Sequence, residues 1–220
     1  MKEQIIKLDA EDGFNFDAFQ VTPENPKGGL VVLQEIFGVT EQLKSAARYF
    51  ATQGFDTVVP AMFDRVSPNT VIPFDEALRG RETMQKLDID QVMLDVAAAI
   101  RHLSGHQGVS VLGYCWGGGI AIRAAGMFDL TGAVAYYGTS LQKHMIQGAR
   151  CPTLFHFGDS DSHSPPEVIE EVKQAIPDAE VYMYQAGHAF ANDARDTYVA
   201  EAARKALERT IIFLNRCHSG

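Results

Sequence analysis

The stretch Val109–Ala125, VSVLGYCWGGGIAIRAA, decides the fold. Val109 to Leu112 is a short apolar run of the kind a buried strand needs. Gly113-Tyr114-Cys115-Trp116-Gly117-Gly118-Gly119 follows, and then helix-forming residues. The pattern is Gly-x-nucleophile-x-Gly between a strand and a helix, with cysteine in the central place. Such a turn is sharp and lifts its central side chain above the sheet, and the flanking glycines leave room for strand and helix to approach. A thiol there also faces the partial positive charge of a helix N-terminus, which favours thiolate.

Outward from this turn, short apolar runs alternate with helical periods. Residues 3 to 21 read as an antiparallel hairpin around Asp12-Gly13. Leu30–Leu33 and Phe55–Val59 read as strands on either side of a helix that Thr40 caps and Gly54 ends. Residues 61 to 74 have no period and read as a long loop. Helical pattern covers Asp75–Leu87 and Asp90–Leu103. Beyond the turn, strands are expected at Gly132–Tyr137, Pro152–Phe157 and Val181–Tyr184, with helices at Gly117–Met127, Pro165–Ile176 and Asp196–Asn215. This alternation predicts an α/β protein with a mostly parallel central sheet and helices on both faces. Sites in such sheets lie at the carboxyl ends of strands. Glu35, Cys115, Asp161 and His188 all follow predicted strands directly.

Composition narrows the partners. The chain has 220 residues, 46% of them hydrophobic, which suffices for a full core in one domain. With 19 basic against 28 acidic side chains the net charge is -9, which argues against nucleic acid or an anionic membrane. No apolar run approaches a membrane span or a secretory leader, so a cytoplasmic protein is expected. Three scattered cysteines, 115, 151 and 217, make neither a disulfide framework nor a CxxC zinc site. No metal and no organic cofactor is expected.

Nucleophile, acid and base come in the order Cys115, Asp161, His188, the chain order of the α/β-hydrolase triad. Chemistry assigns the roles: Cys115 attacks a carbonyl, His188 moves the proton, and Asp161 fixes the imidazole tautomer. Asp159 competes with Asp161 for the acid position. The backbone N–H groups of Trp116 and Ile36 are the natural oxyanion donors. His156 follows an apolar strand and reads as a packed core histidine.

The chain resembles the dienelactone hydrolase family over nearly its whole length. The resemblance runs through Gln34-Glu35-Ile36-Phe37-Gly38-Val39, Gly113-Tyr114-Cys115-Trp116-Gly117-Gly118, Tyr136-Tyr137-Gly138, Phe155-His156-Phe157-Gly158 with Asp161, and Gly187-His188-Ala189-Phe190-Ala191. It implies a single α/β-hydrolase domain over residues 1–220 and a Cys115-His188-Asp161 triad, and it favours Asp161 over Asp159. It implies further that Glu35 contacts the nucleophile and deprotonates it when substrate arrives, that Arg81 binds a substrate carboxylate, and that Tyr137 lines the substrate site. One position departs from the pattern: Asn192 stands where the family has a second arginine, and Arg195 is the nearest replacement.

A thiolate is a good leaving group, so it suits esters or lactones with a stabilised leaving oxygen better than amides. The expected function is therefore a cysteine-dependent carboxylic ester or lactone hydrolase acting as a monomer or homodimer, and the resemblance to the family implies a small, anionic substrate. A related esterase for neutral esters and a non-catalytic thiol-sensing member of the fold are the alternatives.

Overall fold

A computed structural model describes residues 1–219. The chain forms two compact units, Met1–Val109 and the residues from Ser110 onward.

In the first unit, β1 (Lys2–Asp9) and β2 (Asn15–Thr22) form the expected antiparallel hairpin, in register from Lys2 opposite Thr22 to Asp9 opposite Asn15. Gly13 turns the chain at a φ of +85°. β2 also pairs antiparallel with β4 (Phe55–Pro60), which runs parallel to β3 (Gly28–Leu33). β3 and β4 are buried at every position, which is why both read as unbroken apolar runs and not as alternating ones. Helix α1 (Glu41–Thr52) starts where the Thr40 hydroxyl accepts the Leu43 N–H at 3.3 Å. It buries Leu43, Ala47, Phe50 and Ala51. Helix α2 (Ala77–Gln85) is shorter at both ends than its sequence pattern. Helix α3 (Ile89–His102) is capped by the Asp88 carboxylate, which accepts the N–H groups of Asp90 and Gln91.

The region read as a structureless loop, 61–74, is anchored. Residues Met62–Arg65 make a 3₁₀ turn. Asp64 accepts the backbone N–H groups of Asp17 and Asn69. Arg65 reaches Asp95 on α3 through two bonds, at 2.8 and 2.7 Å, and also Asp12 in the hairpin turn. Asp95 is completely buried and Arg65 nearly so. Burial pushes the Asp95 carboxyl up, and the Arg65 guanidinium pulls it back.

In the second unit, β5 (Val109–Tyr114), β6 (Gly132–Tyr136), β7 (Thr153–Gly158) and β8 (Glu180–Tyr184) lie parallel, side by side in chain order. Around them are α4 (Trp116–Met127), the one-turn α5 (Leu141–His144), α6 (Pro166–Ala175) and α7 (Ala200–Cys217). Pro166 occupies the first turn of α6, where its missing N–H costs nothing. Helix α7 begins at Ala200, not at the expected Asp196, because the Val199 N–H bonds back to Phe190. Ile122, Ala135, Phe155, Phe157 and Val172 are the centre of this unit's core. Among the described residues, no helix is long and apolar enough to cross a membrane.

Two histidines in this unit are structural. His156 is wholly buried, with the Tyr184 hydroxyl 2.8 Å from Nδ1 and the Thr210 hydroxyl 2.9 Å from Nε2, and Tyr136 joins at Thr210. Burial, with the charge of Arg209, lowers its pKa to about 3. Burial, with the charges of Arg123 and Lys143, lowers that of His144 to about 4.

Both imidazoles are neutral when folded and free to take a proton once unfolded, below the ordinary histidine value of about 6.5. Their contribution is therefore complete above about pH 6.5 and is lost progressively as pH falls from there toward the folded values. Urea unfolding at pH 6.5, 6.0, 5.5 and 5.0 should show stability falling, and H156Q should make that slope shallower by roughly 1.4 kcal/mol per pH unit. At pH 7.5, D95A should cost about 3–5 kcal/mol because it strands a buried guanidinium. D12A, at the solvent side of the same arginine, should cost less than about 1 kcal/mol.

Candidate active site

The turn after β5 is built by what its residues lack. A Cβ on Gly113 would sit 1.9 Å from the Gly117 carbonyl oxygen, so only glycine lets α4 rise directly off the strand. Cys115 takes φ 54°, ψ -118°, a conformation rarely held by a residue with a side chain. Hydrogen bonds hold it there: its N–H donates to Tyr136 O at 2.9 Å, and its carbonyl accepts from Gly118 and Thr139 at 3.0 and 3.1 Å. The thiol thus stands at the N-terminus of the 12-residue helix α4.

His188 comes from the loop after β8. Its Nε2 lies 3.2 Å from Cys115 Sγ, and its Nδ1 lies 2.7 Å from Asp161 Oδ2, in the loop after β7. The carboxylate requires a proton on Nδ1, which leaves the Nε2 lone pair facing sulfur. Asp161 is buried, which would raise its pKa. The hydrogen bond and charge of His188, with the His163 N–H at 2.8 Å, outweigh that and hold it below the ordinary carboxylate value. Asp159 does other work: it accepts from the Ser160 hydroxyl and from the Ala186 N–H.

Other residues frame this line. Tyr137 is fully buried, and its ring meets His188 edge-on at 5.2 Å and Phe190 at 5.5 Å. Trp116 is buried as the first residue of α4. Asn192 is buried in the loop after His188, and its side-chain oxygen accepts the Ala194 N–H at 3.1 Å. That oxygen is therefore taken up by its own turn. Arg195 is half-buried, and its N–H donates to Asn192 O. In the first unit, Glu35 is buried and Ile36 half-buried, directly after β3. A Cβ on Gly80 would lie 2.3 Å from Ile36 O, so this glycine seats α2 against that segment. Arg81 follows it and is exposed.

Sequence reasoning passed over His163. Its ring packs on that of His188, with 4.7 Å between centroids and 58° between planes. The available signal was a histidine two positions after Asp161. Among the described residues, no three His, Cys, Asp or Glu side chains are grouped so as to hold a metal ion.

The arrangement offers a thiol, a base aimed at it and a carboxylate fixing the base, which is the equipment of acyl transfer. Comparison with known proteins agrees at the level of family. A model of the dienelactone hydrolase family matches residues 16–218. A carboxymethylenebutenolidase from Pseudomonas putida is 35% identical, over 95% of this chain and 94% of its own. A Klebsiella pneumoniae protein provisionally assigned as a dienelactone hydrolase superposes with a TM-score of 0.82 at 26% identity, over 97% of this chain and 99% of its own. A Pyrococcus furiosus esterase shares the fold, with a TM-score of 0.75 at 13% identity, over 98% of this chain and 92% of its own. The fold is that of the α/β-hydrolases, the activity is hydrolysis of ester bonds, and the chain belongs to the dienelactone hydrolase family.

Proposed function

We propose that the protein hydrolyses small carboxylic esters or lactones through a thioester on Cys115. The observation that carries this reading is the hydrogen-bonded line from Cys115 Sγ through His188 to Asp161 Oδ2, at 3.2 and 2.7 Å. His188 Nε2 takes the thiol proton as sulfur attacks the carbonyl carbon, and the carbonyl electron pair moves onto oxygen. N–H groups of Trp116 and Ile36 hold that oxyanion. It collapses, the C–O bond breaks, and His188 returns the proton to the leaving oxygen. Water then attacks the thioester, gives its proton to His188, and releases the acid while sulfur regains the proton. Asp161 keeps Nδ1 protonated throughout and stabilises the imidazolium.

The resemblance to the family supplies the rest of the proposal. Glu35 assists deprotonation of Cys115, Arg81 holds a carboxylate on the substrate, and Tyr137 walls the site beside His188. Asn192 contributes less than an arginine would, since its amide offers a carboxylate a neutral donor in place of a charged, bidentate one.

With 4-nitrophenyl acetate as substrate, C115A should lose all enzyme-dependent release of nitrophenol while keeping the wild-type circular dichroism. D161N should lose about a thousandfold or more in kcat, as misorienting a triad imidazole does. A C115A enzyme as fast as wild type would end this reading. The three thiols should also separate chemically. Burial pushes Cys151 up to about 12, and burial also raises Cys217. Cys115 is itself buried, but its sulfur stands 3.2 Å from His188 Nε2 and at the N-terminus of α4, so iodoacetamide at pH 7 should modify it first, with the other two slower by about tenfold or more on peptide mapping.

A further inference from the structure

The His163 ring packs on His188 and reaches solvent. Tyr137, which also meets that ring, is fully buried, whereas His163 is exposed. Among the groups packed on it that carry or change charge are Asp161 on its own loop, through the His163 N–H, and His188 on the loop after β8. Cys115 Sγ, the atom that bonds the carbonyl carbon, lies 3.2 Å from His188 Nε2, and the His163 ring centre lies 4.7 Å from that of His188. The reacting carbon therefore lies within about a Debye length of His163, roughly 10 Å at 0.1 M salt. A charge there acts on any charged substrate in transit or bound, without needing to touch it.

We propose that His163 is a titratable specificity residue. Protonated, it places a positive charge beside the reaction centre and favours esters that carry a carboxylate; neutral, it withdraws that preference. This rests on the ester-hydrolase reading above and deepens it by naming a substrate charge that is selected by pH. The sign is that of any imidazole: the cation lies on the acid side of its titration and the neutral ring on the alkaline side. Loss of the general base His188 scales turnover of charged and neutral esters alike, so it cancels when the two are compared. An arginine such as Arg81 does not titrate in this range and supplies a constant preference, not a changing one.

The test is the ratio of kcat/KM for mono-4-nitrophenyl adipate to that for its neutral methyl ester, measured from pH 5.5 to 8.0 at 20 mM and 300 mM salt. For wild type the ratio should rise about threefold or more toward pH 5.5 at low salt, and much less at high salt. H163F keeps a ring on His188 and cannot titrate, so its ratio should be flat at the alkaline wild-type value. H163Q guards against a packing fault peculiar to phenylalanine and should be equally flat. H163K should hold the ratio near its acid value across the whole range. A wild-type ratio independent of pH, or one that rises equally in H163F and H163Q, overturns the proposal and leaves the hydrolase standing. Failure of wild type to cleave either ester overturns both.

Discussion

Everything at the candidate site hangs on one peptide geometry, the positive φ of Cys115. It requires α4 to begin within one residue of β5, and that requires the backbone of Gly117 to pass where any side chain at Gly113 would lie. The turn is then locked from the neighbouring strand, since Cys115 donates to Tyr136 O and accepts from Thr139 N–H, just past β6. Parallel pairing of β5, β6, β7 and β8 in chain order brings their carboxyl ends to one edge of the second unit. Cys115, Asp161 and His188 leave from three of those ends, so short loops suffice to bring them into one hydrogen-bonded line.

This is why the fold was largely legible in the sequence. A parallel strand covered on both faces is a run of apolar residues with a stop, and β3, β4, β5 and β7 announce themselves so. The nucleophile turn has a steric cause that leaves glycines at fixed spacing. What escaped reading depended on distant partners. The segment 61–74 has no period because its order comes from Arg65 bonding to Asp95 and Asp12. One-turn α5 is too short to show a period, and α7 starts late because Val199 is tied to Phe190. At the site, spacing left Asp159 and Asp161 as rivals, and the resemblance favoured Asp161. The hydrogen bond to His188 goes to Asp161, while Asp159 serves the turn. The ring contact of His163 was passed over, since the pairing of Asp161 with His188 fixes neither the path of the loop beyond Asp161 nor the direction of a side chain two residues on.

The histidines of the second unit show how one residue type is given separate tasks by its surroundings. His156 has both ring nitrogens engaged by hydroxyls, in a place where a charge has no compensation, so it remains a neutral strut between β7, β8 and α7. His144 is likewise held neutral, with Arg123 Nε 3.2 Å from its Nδ1. His188 instead faces a carboxylate on one side and a thiol on the other, an environment that can accept an imidazolium. Burial alone would not distinguish these roles; the identity of the hydrogen-bond partner does.

Three residues in the turns and loops that follow strands, Cys115, Tyr137 and Ala189, carry side chains in backbone regions where glycine would rest comfortably. Each such placement costs on the order of 1–3 kcal/mol, and the surrounding hydrogen bonds enforce it. Glycine at Cys115 or Ala189, whose side chains are small, would ease folding; at Tyr137 the loss of a buried ring would outweigh the relief. Selection for heat tolerance alone, applied to a population of variants, would therefore drift toward relaxed loops and enrich chains that persist longer and work less. Improvement of this scaffold without that loss has to come from elsewhere: exposed helix positions, loop prolines or the charges around α1 and α7, where a gain in durability leaves these three peptides untouched.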